Sequence, residues 1–349
     1  MTGDAQLQAA IDAALAGQPG ASLSAGVQRL MTAYRSGAYP DRPLLASGRD
    51  AAAYAAYRMP ATAAAVRAAI AEVRRALPGW APASLADLGA GTGGAAWAVA
   101  AELPGLSTVT LYEQAAAAIS LGRSICAASP AAALRQGTWL PWRLPAAGDP
   151  AAVPVTDLVT AAYILGELTA AQQDQLTALA ARASAVVIVE PGTPDGHRRV
   201  LAARQRLLAA GLTVVAPCPH QLACPVAVPG DWCHFAARVQ RSARHRQAKG
   251  ADLSYEDEKF SYVAAVRGGA SPAGAGPLPP AARVIRRPQL RKNLVLLDLC
   301  TARGTTGRQL IGKSSADYRR ARKVTWGEGW DAGPEPAGPG PAGPGDAGR

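Results

Sequence analysis

The sequence predicts an α/β fold built around a doubly wound, mostly parallel β-sheet. Three observations carry this. Apolar runs at 84–88, 108–112, 157–162 and 185–190 alternate with helical segments at 93–101 and 115–127, the pattern of parallel strands joined by crossover helices. A glycine-rich turn follows the first of these runs and opens a helix. The chain has 349 residues, 49% of them hydrophobic, which is too long for a small stapled scaffold and too apolar for wholesale disorder. Aromatic residues are only 5%, so Ala, Leu and Val must fill most of the core.

Residues 1–80 are Ala-rich, with Val66, Ile70, Val73 and Leu77 at helical spacing, and form an N-terminal helical region. Tyr54, Tyr57, Arg58 and Pro60 cluster ahead of that last helix, with Thr62 near its start. Packing at a helix entry and a wall of a ligand cleft both account for them. The α/β domain extends over 81–267, with a helix at 201–210, a strand at 212–215, a Cys-rich insertion at 216–250, and a strand at 262–266 that completes the sheet. Cys126 falls in a helix and reads as a small buried hydrophobe. A Gly/Pro/Ala linker at 268–280 leads to a basic, β-rich module at 281–326. Residues 327–349, dominated by Gly, Pro and Ala, are expected to be disordered. Residues 1–17 carry Asp4 and Asp12 and no basic n-region, and no run approaches ~18 uninterrupted apolar residues. The expectation is a cytoplasmic, bacterial protein that makes no membrane contact.

Charge is segregated. The chain carries +11, yet residues 218–326 alone hold 14 Arg and 5 Lys against 7 acidic residues, a balance of +12 that leaves −1 for the remainder. A polyanionic partner is implied for the C-terminal third. The basic residues fall in three runs: Arg238, Arg241, Arg244 and Arg246; Arg283, Arg286, Arg287, Arg291 and Lys292; and Arg319, Arg320, Arg322 and Lys323. Gathered onto one surface, they would bind RNA phosphates with an affinity that falls steeply with salt.

The glycine-rich turn reads Asp87-Leu88-Gly89-Ala90-Gly91-Thr92-Gly93-Gly94. Gly89, Gly91 and Gly94 fit the dinucleotide spacing; Asp87 with Gly89, Gly91 and Gly93 fits that of S-adenosylmethionine-dependent methyltransferases. Chemistry favours the second. S-adenosylmethionine presents an ammonium and a sulfonium rather than a pyrophosphate, and a carboxylate at Asp87 suits the former. Glu113, 22 residues beyond Gly91 at the end of the next strand, is placed to accept ribose hydroxyls from either cofactor. The strand at 157–162 and the residues after it contain no Asn/Asp-Pro-Pro-aromatic element and no cysteine placed to attack a pyrimidine ring. No catalytic residue is therefore assigned. Tyr163 and Glu167 either line the site or belong to an ordinary strand-to-helix connection.

Five cysteines are present, four of them at Cys218, Cys224, Cys233 and Cys300, a C-x5-C-x8-C-x66-C spacing. An odd count without a secretory segment disfavours a disulfide framework and favours a metal centre in a reducing compartment. Close zinc pairs such as C-x2-C are missing, although nearby histidines keep zinc open. Four thiolates can also hold a [4Fe–4S] cluster.

Several of these motifs together, Tyr57-Arg58-Met59-Pro60, the 87–94 loop, Cys218-Pro219-His220 with Cys224-Pro225, Asp231-Trp232-Cys233-His234-Phe235 and Trp326-Gly327, make the chain resemble the mitochondrial small-ribosomal-subunit methyltransferase-like family over roughly residues 50–330. The resemblance implies a class I S-adenosylmethionine-dependent methyltransferase fold, a [4Fe–4S] cluster on Cys218, Cys224, Cys233 and Cys300, and methyl-donor contacts from Asp87, Gly89, Gly91, Gly93 and Glu113. It also implies work on the small ribosomal subunit and its RNA during assembly, by a protein that is monomeric off the ribosome. Two roles follow, an rRNA methyltransferase and a catalytically inactive RNA-binding assembly factor. A third, pyrimidine-carbon methylation through Cys218, predicts a covalent RNA adduct.

Overall fold

The computed structural model describes residues 3–36, 44–144, 153–242, 246, 253–268 and 279–331. Most of the linker (269–278), residues 332–349, Arg244 and much of the insertion's basic end lie outside the described residues, whereas residues 327–331, expected within a disordered tail, are ordered because Trp330 is buried in the second sheet's core.

β1 (Ser84–Leu88) lies between β2 (Thr108–Glu113) and β4 (Leu158–Ala162), with β3 (Thr138–Pro141) outside β2 and β5 (Ala185–Pro191) outside β4. All five are parallel. β4 and β5 are buried almost end to end, as expected for strands covered on both faces. β8 (Tyr255–Val266) then runs against them: residues 260–266 are antiparallel to β5 on one side and, through 264–266, to β6 (Thr213–Ala216) on the other, while residues 255–260 pair with β7 (Phe235–Gln240). The order β3-β2-β1-β4-β5-β8-β6 reverses direction of progress at the β1–β4 junction, and ligands of open α/β sheets bind at such a junction.

α5 (Gly94–Glu102), α6 (Ala116–Cys126), α7 (Ala132–Arg135), α8 (Ala170–Ala180) and α9 (Pro194–Ala209) connect the strands. α1 (Gly3–Ala14), α2 (Gly20–Ser36), α3 (Gly48–Tyr57) and α4 (Met59–Ala76) precede them. Ser47 caps α3 by accepting the Asp50 N–H at 3.2 Å, and α4 starts with Pro60 in its first turn, where a missing N–H costs nothing. α4 is buried around most of its circumference, in a core shared with α1, α3, α5 and the sheet, which explains its run of alanines. α9 begins with the Thr193 hydroxyl accepting the Gly196 N–H at 3.1 Å. A Cβ at Gly196 would sit 1.9 Å from the Pro191 carbonyl oxygen, so only glycine fits.

A second sheet comprises β9 (Ala282–Val284), β10 (Gln289–Arg291), β11 (Leu294–Thr301), β12 (Thr306–Gly312) and β13 (Gly329–Trp330), all antiparallel, with α10 (Tyr318–Ala321) alongside. It has a core of its own, including Val284, Val295, Leu297, Ile311, Ala321 and Trp330. Arg283 of β9 ties this sheet to the first domain. It is 1% exposed, forms an ion pair with Glu72 of α4, and donates to the carbonyls of Pro217 at 2.7 Å and Gly327 at 2.9 Å. Among the described residues, no helix is long and apolar enough to cross a membrane.

Candidate functional site

The turn after β1 is built from left-handed backbone. Gly89, Gly91 and Gly93 have φ of 72°, 55° and 88°, and the Gly89 and Ala90 N–H groups both donate to the Tyr112 carbonyl, at 2.9 and 3.0 Å, locking the turn to β2. Side chains would not fit: a Cβ on Gly89 would meet Ile164 Cδ1 at 2.2 Å, and one on Gly91 would meet the Tyr54 ring at 3.3 Å. Glu113, at the end of β2, is 8% exposed and accepts the Gly91 N–H through Oε2 and the Ala115 N–H through Oε1, each at 2.8 Å. Burial raises its pKa, and those N–H groups oppose the rise.

Asp87 sits deeper, 1% exposed. Its Oδ1 accepts the Thr160 hydroxyl at 2.7 Å, while its Oδ2 and the neighbouring Thr92 hydroxyl are buried without hydrogen-bond partners. Burial pushes Asp87 up to about 6. Orphaned polar atoms beside a glycine turn are what a cradle for a polar ligand leaves before the ligand binds.

Beyond the cradle, the end of β4 is strained. Tyr163 has φ 59°, a conformation rare outside glycine, and its hydroxyl donates to Glu258 Oε1 at 2.8 Å. Arg58 donates to both Glu258 oxygens, at 3.2 and 3.0 Å, and its guanidinium stacks 4.7 Å from the Tyr163 ring centroid. Arg58, with the Tyr57 ring on one side, thus packs onto the strained end of β4. Sequence reasoning missed its partner, Glu258, which was hidden in the acidic run of β8; every second residue in that run faces inward, and that alternation was the available signal.

Glu167 is half-buried on the short 3₁₀ turn after β4. Burial first, then the Glu113 and Glu190 carboxylates, push it up to about 8. The folded chain therefore holds a proton that the unfolded chain releases near 4.5, and stability is lost between about 4.5 and about 8. Glu167→Gln removes that loss. Its melting temperature, followed by calorimetry, should gain on the parent's as pH rises through this interval and stay level above it.

Cys218, Cys224, Cys233 and Cys300 line one cavity of about 30 Å³, together with His197, His220, Arg204 and Arg283. Cys218 follows β6, Cys224 lies in the next loop, Cys233 precedes β7, and Cys300 comes from β11 of the second sheet, opposite Arg283 in the ladder. The Ser261 hydroxyl anchors the Cys233 carbonyl at 2.8 Å, and Cys300 Sγ is 3.4 Å from His220 Nε2. All five cysteines are free. Burial, then neighbouring cysteines, raises Cys233 well above the usual thiol range and Cys300 to about 12. Yet among the described residues no three His, Cys, Asp or Glu side chains are close enough to share a single ion. Cys126 lies elsewhere, 1% exposed beside Gly93.

The basic runs divide. Arg283 is interior, which corrects its placement on an RNA-binding face. Arg238, Arg241 and Arg286 are in ion pairs with Asp257, Glu256 and Asp231. Arg287, Arg291, Lys292, Lys313, Arg319, Arg322 and Lys323 are exposed on and around the second sheet.

Residues 48–331, well over half of the chain, match the family model described as mitochondrial small ribosomal subunit Rsm22. Human ribosome assembly protein METTL17, mitochondrial, is 28% identical over 303 residues, 79% of this chain and 61% of that protein, so the chain spans under two thirds of the relative's length. Among solved structures, magnesium protoporphyrin IX methyltransferase from Synechocystis with bound SAH is 12% identical, with 68% of this chain and 94% of that one covered at a TM-score of 0.38. Precorrin-6y C5,15-methyltransferase from Geobacter metallireducens is 14% identical, with 57% and 86% covered at 0.36. With that match spanning both the α/β domain and the second sheet, this chain is a member of the Rsm22 family.

Proposed function

We propose that this protein has a class I methyltransferase fold that binds S-adenosylmethionine, carries a [4Fe–4S] cluster, and acts on the small ribosomal subunit through its RNA during assembly, in the cytoplasm of a bacterium. The observation that carries the donor reading is the cradle at the β1–β4 junction, where Glu113 grips the Gly91 N–H beside the orphaned Asp87 and Thr92 oxygens. Gly89, Gly91, Gly93 and Glu113 would hold the donor, and Asp87 would brace the turn. Bound there, S-adenosylmethionine supplies an activated methyl group. The cluster reading is supported by donor type, since four cysteines line one cavity, with zinc as the alternative occupant of the same thiolates. The ribosomal reading is supported by the family description, by the human relative's name, and by the exposed basic residues of the second sheet.

A second reading, an assembly factor that keeps the fold without transferring methyl groups, is favoured by the end of β4, where Ile164 packs onto Gly89 and Tyr163 is tied to Glu258. The two are separated by Gly91→Leu, whose side chain would collide with Tyr54. Calorimetric donor binding should fall at least 100-fold. An enzyme would then lose methylation of small-subunit particles carrying unmodified RNA, whereas a silent factor would keep its ribosome-assembly phenotype. No donor binding by the parent protein would overturn the cofactor reading itself.

A further inference from the structure

We propose that Arg204 is the counter-charge of the four-cysteine centre and sets its reduction potential. This rests on the cluster reading above. Arg204, on α9, is 3% exposed. Its Nη2 donates to the carbonyls of His220 and Leu222, at 2.9 Å each, which fixes the loop between Cys218 and Cys224. Its Nε is buried without a partner, and among the described residues no carboxylate forms an ion pair with it. A guanidinium cannot shed its charge to escape such a setting, as a lysine would, so an uncompensated buried cation requires an anion.

The same cavity holds a second interior arginine, and the contrast between the two is informative. Arg283 is neutralised by Glu72; Arg204 has no such partner. The cavity wall is therefore left with one unbalanced positive charge facing four sulfur atoms. A [4Fe–4S] core on four thiolates carries a net charge of about −2 when oxidised and about −3 after taking up one electron. The added electron stays on the cluster, no proton moves at Arg204, and the more negative state gains more from the guanidinium. Arg204 thus favours the reduced cluster.

The test uses the full chain purified anaerobically, with iron and sulfide analysis and a dithionite titration followed by electron paramagnetic resonance. Arg204→Gln should lower the reduced-to-oxidised ratio at fixed poise at least tenfold, a fall of about 59 mV for one electron. Glu72→Gln, which frees the Arg283 charge toward the same cavity, should shift the potential upward. Opposite shifts are the signature of electrostatics, because mere loosening of the cavity would move both variants the same way. Equal potentials in parent and Arg204→Gln, or like-signed shifts in Arg204→Gln and Glu72→Gln, would each overturn the proposal. If Arg204→Gln does not fold, Arg204→Met, which keeps an unbranched stem and removes the charge, is read in its place. A parent protein without iron and sulfide would overturn the cluster reading and this inference with it.

Discussion

Glu72→Ala is expected to lower the unfolding free energy by about 3–5 kcal/mol, the range for leaving one member of a buried ion pair uncompensated. Arg283 would remain in the interior with its charge and only the Pro217 and Gly327 carbonyls for company. The loss should be large because the pair joins α4 to β9 across 211 residues, so it holds the second sheet against the first domain. Urea unfolding monitored by circular dichroism provides the measurement. A double variant, Glu72→Met with Arg283→Met, should recover much of the loss, since two apolar groups carry no stranded charge. A single variant within about 0.5 kcal/mol of the parent would place it among ordinary surface substitutions and show that the pair does not secure the interface.

Cys300→Ser should have the second large effect. Cys300 is the one thiol of the cavity that comes from the second sheet. On the proposed cluster reading, its removal is expected to abolish iron and sulfide retention and to cut amide hydrogen-exchange protection in β9 and β11 at least tenfold, leaving β1, β4 and β5 unchanged. Cys126→Ala, in a helix well away from that cavity, provides the control and should keep the full metal content. A Cys300→Ser protein that retains its iron would remove the fourth ligand from the assignment.

The core of the α/β domain could be read from sequence because its signals are local. β1, β2, β4 and β5 are short apolar runs bounded by turn residues, and each falls within a residue or so of its expected position. β3 was not anticipated; it is a four-residue edge strand, Thr-Trp-Leu-Pro, with only Trp139 buried. β8 was expected at 262–266 but begins at Tyr255, since its charged first half looked like solvent-facing chain. α9 starts at Pro194 rather than 201, with Thr193 and Pro194 as overlooked start signals ahead of a polar first turn. At the sites, the glycine turn and Glu113 are neighbours in space for reasons of strand order alone. Arg204 and the Glu72–Arg283 pair offered no sequence signal. A buried arginine looks like any other arginine until the carbonyls or carboxylate it serves are brought to it by the fold.

The assembly of the cysteine cavity from separate lengths of chain also constrains events during synthesis. Cys300 is 67 residues after Cys233. At translation rates of about 5–20 residues per second, the three earlier thiols wait roughly 3–13 s for the fourth to be made, and longer for β9 and β11 to pair. Throughout that delay they are reduced, unshielded nucleophiles on a nascent chain. Any inorganic centre that uses all four thiols can therefore be completed only once Cys300 has been made, and oxidants or stray thiophilic metals have their best opportunity before it.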